Sequence, residues 1–202
     1  MKFVELDPSK HDLNKVSKLI YETELSVFRP LLGKNKKIAI ENINKLILLD
    51  NNIFTHENIH VAINSNNMVL GILVSCSGGD RNLLGNLKDY SKILNFQDFI
   101  KLMVKGTVIG ALLTATVSVD EYYLSNIATD HMLRGQGIGT YILENAIQLA
   151  KDQDASKAIL NVTFKNKGAL RLYQRFGFEV SGENNPQLLF KNQGTYNMEY
   201  IL

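Results

Sequence analysis

The glycine-rich stretch from Arg134 to Thr140 constrains this chain more than any other part of its sequence. It reads Arg-Gly-Gln-Gly-Ile-Gly-Thr, follows a strand-like apolar run over residues 122–128, and leads into a helical pattern that starts at Tyr141. Glycines permit tight or left-handed backbone and let a bulky anion approach the chain. Because backbone N–H groups and the positive end of a helix dipole would point at one spot, the stretch predicts a phosphate-binding site at a strand–helix junction.

Two common phosphate-binding loops do not fit these letters. A P-loop has a lysine after its last glycine, whereas Thr140 follows Gly139 here. The dinucleotide-binding fingerprint needs a third glycine three residues after the second, and counting from either of the first two glycines gives threonine or isoleucine there. The spacing that fits is Arg/Gln-x-x-Gly-x-Gly/Ala, through Arg134, Gly137 and Gly139.

A second block makes the pattern specific. After one helix and one short strand, the chain carries Asn-x-x-Ala-x-x-x-Tyr-x-x-x-Gly-Phe from Asn166 to Phe178. With both blocks the sequence resembles the GCN5-related N-acetyltransferase (GNAT) superfamily. The resemblance implies an N-acetyltransferase that moves the acetyl group of acetyl-CoA to a primary amine of a small molecule or of a protein. We slightly favour a small molecule, because the insertion described below would wall off a pocket. The alternative is a non-catalytic acyl-CoA-binding or regulatory module of the same fold.

The resemblance also implies roles for the residues at matching positions. Tyr173 would be the general acid that protonates the leaving sulfur. The residues implied to bind the coenzyme lie on the fourth strand, on the glycine-rich loop or at the start of the last helix: Ile127, Ala128, Thr129, Arg134, Gly135, Gln136, Gly137, Ile138, Gly139, Thr140 and Asn166. In the family the fourth strand diverges from the fifth, and we expect the acceptor to approach along residues 21–35 and an insertion described below.

The general base is where the sequence departs from some relatives. Those that acetylate ribosomal-protein N-termini carry a glutamate twelve residues before the tyrosine, whereas this chain has Asn161. Asparagine does not accept a proton usefully at neutral pH, so the departure argues against a ribosomal-protein substrate. The base would be Glu121 acting through water, or another residue, unless the amine arrives neutral. A solvated charge at the start of a strand is the alternative interpretation of Glu121.

Hydrophobic periodicity predicts a mixed α/β (α+β) fold. Strands are expected over residues 2–6, 59–63 and 68–75 and helices over 13–28 and 36–49, followed after residue 120 by strand, helix, strand, helix, strand and strand. We expect a mostly antiparallel sheet of about seven strands flanked by helices, as the GNAT resemblance also implies. Residues 1–202 would form one domain with a mostly helical insertion at about 77–120, between the third and fourth strands. That insertion would cap the acceptor site, pack on the sheet or form an oligomer contact, as in a homodimer.

Composition limits the classes of partner. The net charge is +2, from 22 basic and 20 acidic residues, so we expect no nucleic-acid partner. The longest apolar run, residues 108–119, is too short to span a bilayer, and residues 1–7 contain no apolar signal region. The single cysteine, Cys76, excludes an internal disulfide. We therefore expect a cytoplasmic protein without a membrane partner.

The segment from His56 to His60 matches the zinc-protease pattern His-Glu-x-x-His in letters only. That chemistry needs both histidines one turn apart on a helix. Residues 59–63 instead have the pattern of a strand, whose successive side chains point to opposite faces. We therefore predict no metal site.

Overall fold

The computed structural model describes residues 1–23, 31–80, 83–106, 117–185 and 194–202. One seven-stranded sheet runs through these residues in the order β1-β2-β3-β4-β5-β7-β6. Every neighbouring pair is antiparallel except β4 and β5, which are parallel. The mixed, mostly antiparallel sheet of about seven strands is thereby confirmed. The strands are β1 (Lys2–Glu5), β2 (Ile59–Ile63), β3 (Val69–Ser77), β4 (Glu121–Thr129), β5 (Lys157–Thr163), β6 (Glu179–Asn184) and β7 (Thr195–Ile201).

Helices cover both faces of the sheet. They are α1 (Leu13–Thr23), α2 (Lys36–Ile47), α3 (Leu83–Ile93), α4 (Phe96–Lys101), α5 (Ile138–Asp152) and α6 (Lys167–Phe176). On β3, the fully buried Ile72 packs in a cluster with α1 and α2, whereas the adjacent, fully buried Leu73 packs in a second cluster with α5 and α6. This two-sided burial explains why the central strands are almost continuously apolar.

Part of the expected insertion is helical as predicted. It begins with α3 and α4, and α4 continues as one π-helical segment, Leu102–Gly106. Residues 107–116 lie outside the described residues, as do residues 24–30, into which the first helix was predicted to extend. The division into a single domain with one insertion stays a prediction.

A buried carboxylate fastens α3 to the loop that precedes β2. The Asp89 side chain is fully buried and accepts hydrogen bonds from the backbone N–H of Asn51 at 2.8 Å and the side-chain amide of Asn52 at 3.1 Å. The Asn52 amide also donates to the carbonyls of Leu46 and Leu49, near the end of α2. The start of the insertion is therefore tied to the helical layer that contains α1 and α2.

The charge of Asp89 is stabilised in this position. Burial by itself raises the pKa of its carboxyl, but hydrogen bonds from Lys92, Asn52 and Asn51 outweigh burial and hold the pKa below its ordinary value. A lowered folded-state pKa stabilises the protein above the unfolded-state pKa of about 3.9, and this contribution is lost as the pH falls.

Replacing Asp89 by alanine should destabilise the fold by about 2 kcal/mol at neutral pH, because the Asn51 N–H and the buried Asn52 amide lose their acceptor. The free energy of unfolding, measured by denaturant titration, tests this. The difference from wild type should shrink below about pH 4. The exposed Asp50→Ala variant is the control and should match wild type; an Asp89→Ala protein of equal stability would contradict the role given to this carboxylate.

Candidate active site

The parallel strands β4 and β5 stay together for only part of their length. Their paired residues run from Glu121 and Lys157 to Leu124 and Leu160. Beyond this point β4 remains paired with β3, and β5 remains paired with β7. The rest of β4, residues 125–129, therefore has backbone groups on its β5 side without a strand partner.

A β-bulge marks the place where the two strands separate. Val74 of β3 lies opposite Asn126 of β4, but the next residue, Ser75, lies opposite Leu124, so Ser125 is the extra residue. A bulge bends its strand and increases the local twist. The bend accounts for the divergence of β4 from β5.

A cleft of about 580 Å³ fills the gap between the separated strands. It is lined by β4, the glycine-rich loop, the start of α5, the end of β5, α6 and the end of α1. All of the residues predicted from the sequence to bind the coenzyme line this cleft except Gln136: Ile127, Ala128, Thr129, Arg134, Gly135, Gly137, Ile138, Gly139, Thr140 and Asn166.

Two glycines shape the loop before α5. Gly135 and Gly137 have φ angles of 80° and 78°, a left-handed conformation that favours glycine. No atom lies within 4 Å of the position that a Cβ would occupy on either residue, so the space in front of the loop is open. Gly137 is the N-cap of α5, and the first N–H groups of a helix have no intrahelical partner. The loop therefore offers donors and a positive dipole end to an anion in the cleft.

The third glycine has a different role. A Cβ on Gly139 would lie 3.0 Å from the Leu172 side chain, so glycine here permits the close packing of α5 against α6. α6 itself has defined ends. The Asn166 side chain accepts a hydrogen bond from the N–H of Ala169 at 3.2 Å, and Gly177 ends the helix with a φ angle of 113°.

Tyr173 lies on α6 and lines the cleft. Its side chain is buried, with 7% of the residue exposed, and packs against the ring of Phe178. Burial raises the pKa of the phenol from 10 to about 12, so the hydroxyl stays protonated at neutral pH. Within the described ranges, no hydrogen-bond partner occupies this hydroxyl, which leaves its proton available to a ligand.

Glu121 lies outside the cleft. It is the first residue of β4, in the part that is paired with β5. Its carboxylate accepts the backbone N–H of Ser118 at 2.8 Å and lies 3.2 Å from the Lys157 ammonium. The structure therefore does not bring Glu121 to the cleft that Tyr173 lines.

The polar residues at the α1 end of the cleft belong to no sequence motif. The side-chain amide nitrogen of Asn126 donates to the Thr23 hydroxyl at 2.7 Å. The side-chain oxygen of the same residue accepts from the Ser125 hydroxyl at 2.9 Å. Next to Thr23, Glu22 is the one carboxylate among the described residues that line the cleft. Residue 22 falls in the region expected to border the acceptor, but its neighbours on β4 are about a hundred residues away in sequence, so no local pattern identifies it.

Asn161, which stands where some relatives have glutamate, also lines the cleft. Its amide nitrogen donates to the Asn197 side chain at 2.6 Å, and its carbonyl oxygen accepts from the Tyr123 hydroxyl at 3.3 Å. These contacts fix the Asn161 amide in one orientation. The residue is therefore a neutral part of the cleft wall.

The two histidines of the His-Glu-x-x-His segment do not share a helix. His56 begins a single 3₁₀ turn, His56–Asn58, whereas His60 lies in β2 and stacks on Phe3 with ring centroids 5.2 Å apart. Across the described ranges no group of three His, Cys, Asp or Glu side chains is arranged to hold a metal ion. The same residues contain no helix that is both long and apolar enough to cross a membrane.

Comparison with known proteins identifies the family to which this part of the chain is similar. Residues 82–178 match the family described as the acetyltransferase (GNAT) family. A putative ribosomal protein bS18-alanine N-acetyltransferase of Bacillus subtilis (strain 168) is 33% identical over 66 residues, which cover 33% of this chain and 44% of that protein. The chain spans less than half the length of the curated relatives that it matches.

Solved structures agree over the whole chain. An N-acetyltransferase from Staphylococcus aureus Mu50 superposes with a TM-score of 0.74 at 23% identity, covering 99% of this chain and 100% of that one. The NatC complex bound to Gag peptide and CoA gives a TM-score of 0.58 at 16% identity, covering 100% and 98%. These similarities confirm the predicted acetyltransferase fold.

The raised pKa of Tyr173 can be measured. Up to about pH 11, wild type and Tyr173→Phe should develop nearly the same tyrosinate absorbance, because the Tyr173 phenol remains largely protonated. In denaturant the two proteins should differ by about half a tyrosinate at pH 10 and by nearly a full one at pH 11. A difference of about half a tyrosinate at pH 10 between the folded proteins would contradict the burial of this hydroxyl.

Proposed function

We propose that this chain, whose residues 82–178 match the acetyltransferase (GNAT) family, is an acetyl-CoA-dependent N-acetyltransferase. Its acceptor would be a primary amine of a small molecule or of a protein. The observation that carries the proposal is the cleft that joins the glycine-rich loop to the buried Tyr173 between the separated ends of β4 and β5.

The residues of the cleft fit a CoA thioester. The open space in front of Gly135 and Gly137 leaves room for a diphosphate against the first turn of α5. The unpaired backbone of Ile127–Thr129 would bind the amide groups of the pantetheine arm, as a further strand would. The bound thioester would supply an activated acetyl group. A related fold, the NatC complex, was solved with CoA and a peptide, which supports this assignment.

The chain's own groups would assist transfer of the acetyl group in two ways. A backbone N–H of β4 would stabilise negative charge on the carbonyl oxygen, as in an oxyanion hole. The Tyr173 hydroxyl would donate to the departing sulfur.

The pKa of Tyr173 defines how it acts. A phenol with a pKa of about 12 is a weaker acid than a thiol with an ordinary pKa of about 8.5, so full proton transfer would be uphill by about 5 kcal/mol. An apolar surrounding also raises the pKa of a thiol, which narrows this gap. Tyr173 would therefore stabilise the developing thiolate as a hydrogen-bond donor before any full transfer of its proton.

The proton of the acceptor amine would leave through water. Glu121 is held in an ion pair outside the cleft, and Asn161 is a neutral amide, so neither supports a role as general base. This scheme requires the acceptor to lose its proton to water before it attacks, unless the amine arrives neutral. The acetyl donor is a cytoplasmic metabolite and the single Cys76 needs no disulfide. We therefore place the reaction in the cytoplasm. The homodimer and the absence of nucleic-acid partners remain predictions.

Replacing Tyr173 by phenylalanine should lower kcat by about 100-fold and leave the KM for acetyl-CoA nearly unchanged, because the lost hydroxyl acts only in the transition state. CoA release is followed over a panel of amines, and the acetylated product is identified by its mass. Tyr196→Phe, outside the cleft, is the matched control. Tight acetyl-CoA binding without turnover on any amine would favour the non-catalytic module instead.

Replacing Gly137 by alanine should weaken CoA binding about tenfold. A side chain at a left-handed position costs about 1–2 kcal/mol, which would shift the loop away from its anion-binding geometry. Titration calorimetry with CoA measures the effect, and thermal unfolding separates it from a loss of fold. Gly182→Ala, on β6, is the control. Unchanged CoA affinity in a folded Gly137→Ala protein would show that this loop does not hold the diphosphate.

A further inference from the structure

The end of the cleft away from the glycine-rich loop contains a carboxylate. Glu22 lies in the last turn of α1 and lines the cleft, and the next residue, Thr23, is hydrogen-bonded to Asn126 of β4. A strand advances about 3.3 Å per residue, so Asn126 lies about 10 Å before Thr129, where β4 ends next to the loop. Glu22 is therefore separated from the anion-binding end by about the length of the unpaired segment of β4.

The position of Glu22 is fixed by its neighbour. Thr23 accepts a hydrogen bond from the Asn126 side chain at 2.7 Å, and Asn126 is only 4% exposed. A hydrogen bond shielded from water holds its groups in place more firmly than an exposed one. The end of α1 is thus attached to β4 at the bulge.

Glu22 already faces a primary ammonium group. The Lys36 Nζ lies 3.6 Å from the Glu22 Oε1 and 5.8 Å from the centre of the Tyr21 ring. A carboxylate together with an aromatic face is a combination that recognises ammonium ions. Lys36 is the first residue of α2, so this cation comes from the chain itself.

The contact between Glu22 and Lys36 is weak enough to exchange. The two side chains are 31% and 55% exposed, and their separation exceeds hydrogen-bond distance. Exposed pairs of this kind change an equilibrium constant by no more than about fivefold. An incoming ammonium ion could therefore take the place of Lys36.

We propose that Glu22 binds the acceptor as a primary ammonium ion and that Lys36 competes with it from within the chain. This inference rests on the proposed function and narrows its substrate class to amines that arrive as cations. After binding, the ammonium would lose its proton to water before the amine attacks. Glu22 determines acceptor specificity, and Lys36 limits acceptor affinity.

The test measures binding rather than turnover. Pentylamine, a cation at pH 7.5, and the neutral analogue pentan-1-ol are titrated into the CoA-loaded protein by calorimetry. We expect wild type to bind pentylamine about threefold to fivefold more tightly than pentan-1-ol. Glu22→Gln should remove this preference, and Lys36→Met should strengthen pentylamine binding up to about fivefold, because the competing ammonium is gone.

The matched controls carry the same changes away from the cleft. Glu144→Gln on α5 and Lys37→Met, next to Lys36, should bind pentylamine like wild type. The inference is overturned if wild type shows no preference for the amine, or if Glu22→Gln retains it. In that case, release of CoA from acetyl-CoA in the presence of an amine would still support the proposed acetyltransferase activity. Conversely, Glu22-dependent amine binding without acetyl transfer to any amine would refute the proposed activity and leave the ammonium site standing.

Discussion

The separation of β4 from β5 is the feature on which the rest of the site depends. Four residue pairs, ending at Leu124 and Leu160, hold the parallel strands together, and both of these leucines are almost completely buried. Past that pair each strand keeps its other neighbour, so the sheet opens without losing its integrity. The bulge at Ser125 supplies the bend. An unbroken parallel pair would satisfy the backbone of β4 internally and leave no cleft.

The opening brings unlike chemical groups into one cleft. Backbone donors of the glycine-rich loop, the Glu22 carboxylate and the buried phenol of Tyr173 all line it. Each group needs a different environment. The loop is open to an anion, Glu22 is partly exposed, and Tyr173 is buried, which raises the pKa of its phenol. A cleft between a sheet and two helical layers provides all three environments within a single cavity.

Contacts between α1 and β4 connect the acidic end of the cleft, at Glu22, with the end at the glycine-rich loop. The Thr23–Asn126 hydrogen bond fixes the acidic end, and an ion pair between Lys15 and Asp130 fixes the same helix to the end of β4 just before the glycine-rich loop. Hydrogen bonds from Lys15 and from the N–H of Met132 hold the pKa of Asp130 below its ordinary value, so this carboxylate stays charged at neutral pH. The helix that carries Glu22 and the loop that would bind the diphosphate are therefore held to the same strand.

The sequence by itself determined the parts whose signals are local. Some features depend only on residues within a turn of each other, so the residue types alone predict them. These are the positive φ angles of Gly135 and Gly137, the Asn166 cap and the helix end at Gly177. The strand order, the bulge at Ser125 and the position of Glu22 were decided only by the tertiary structure. Those features result from pairing between segments that are distant in the chain, and Glu121 illustrates the difference. It lies on the same strand as the cleft residues, yet its place in the paired part of β4 keeps it outside, because only three-dimensional pairing determines where the two strands part.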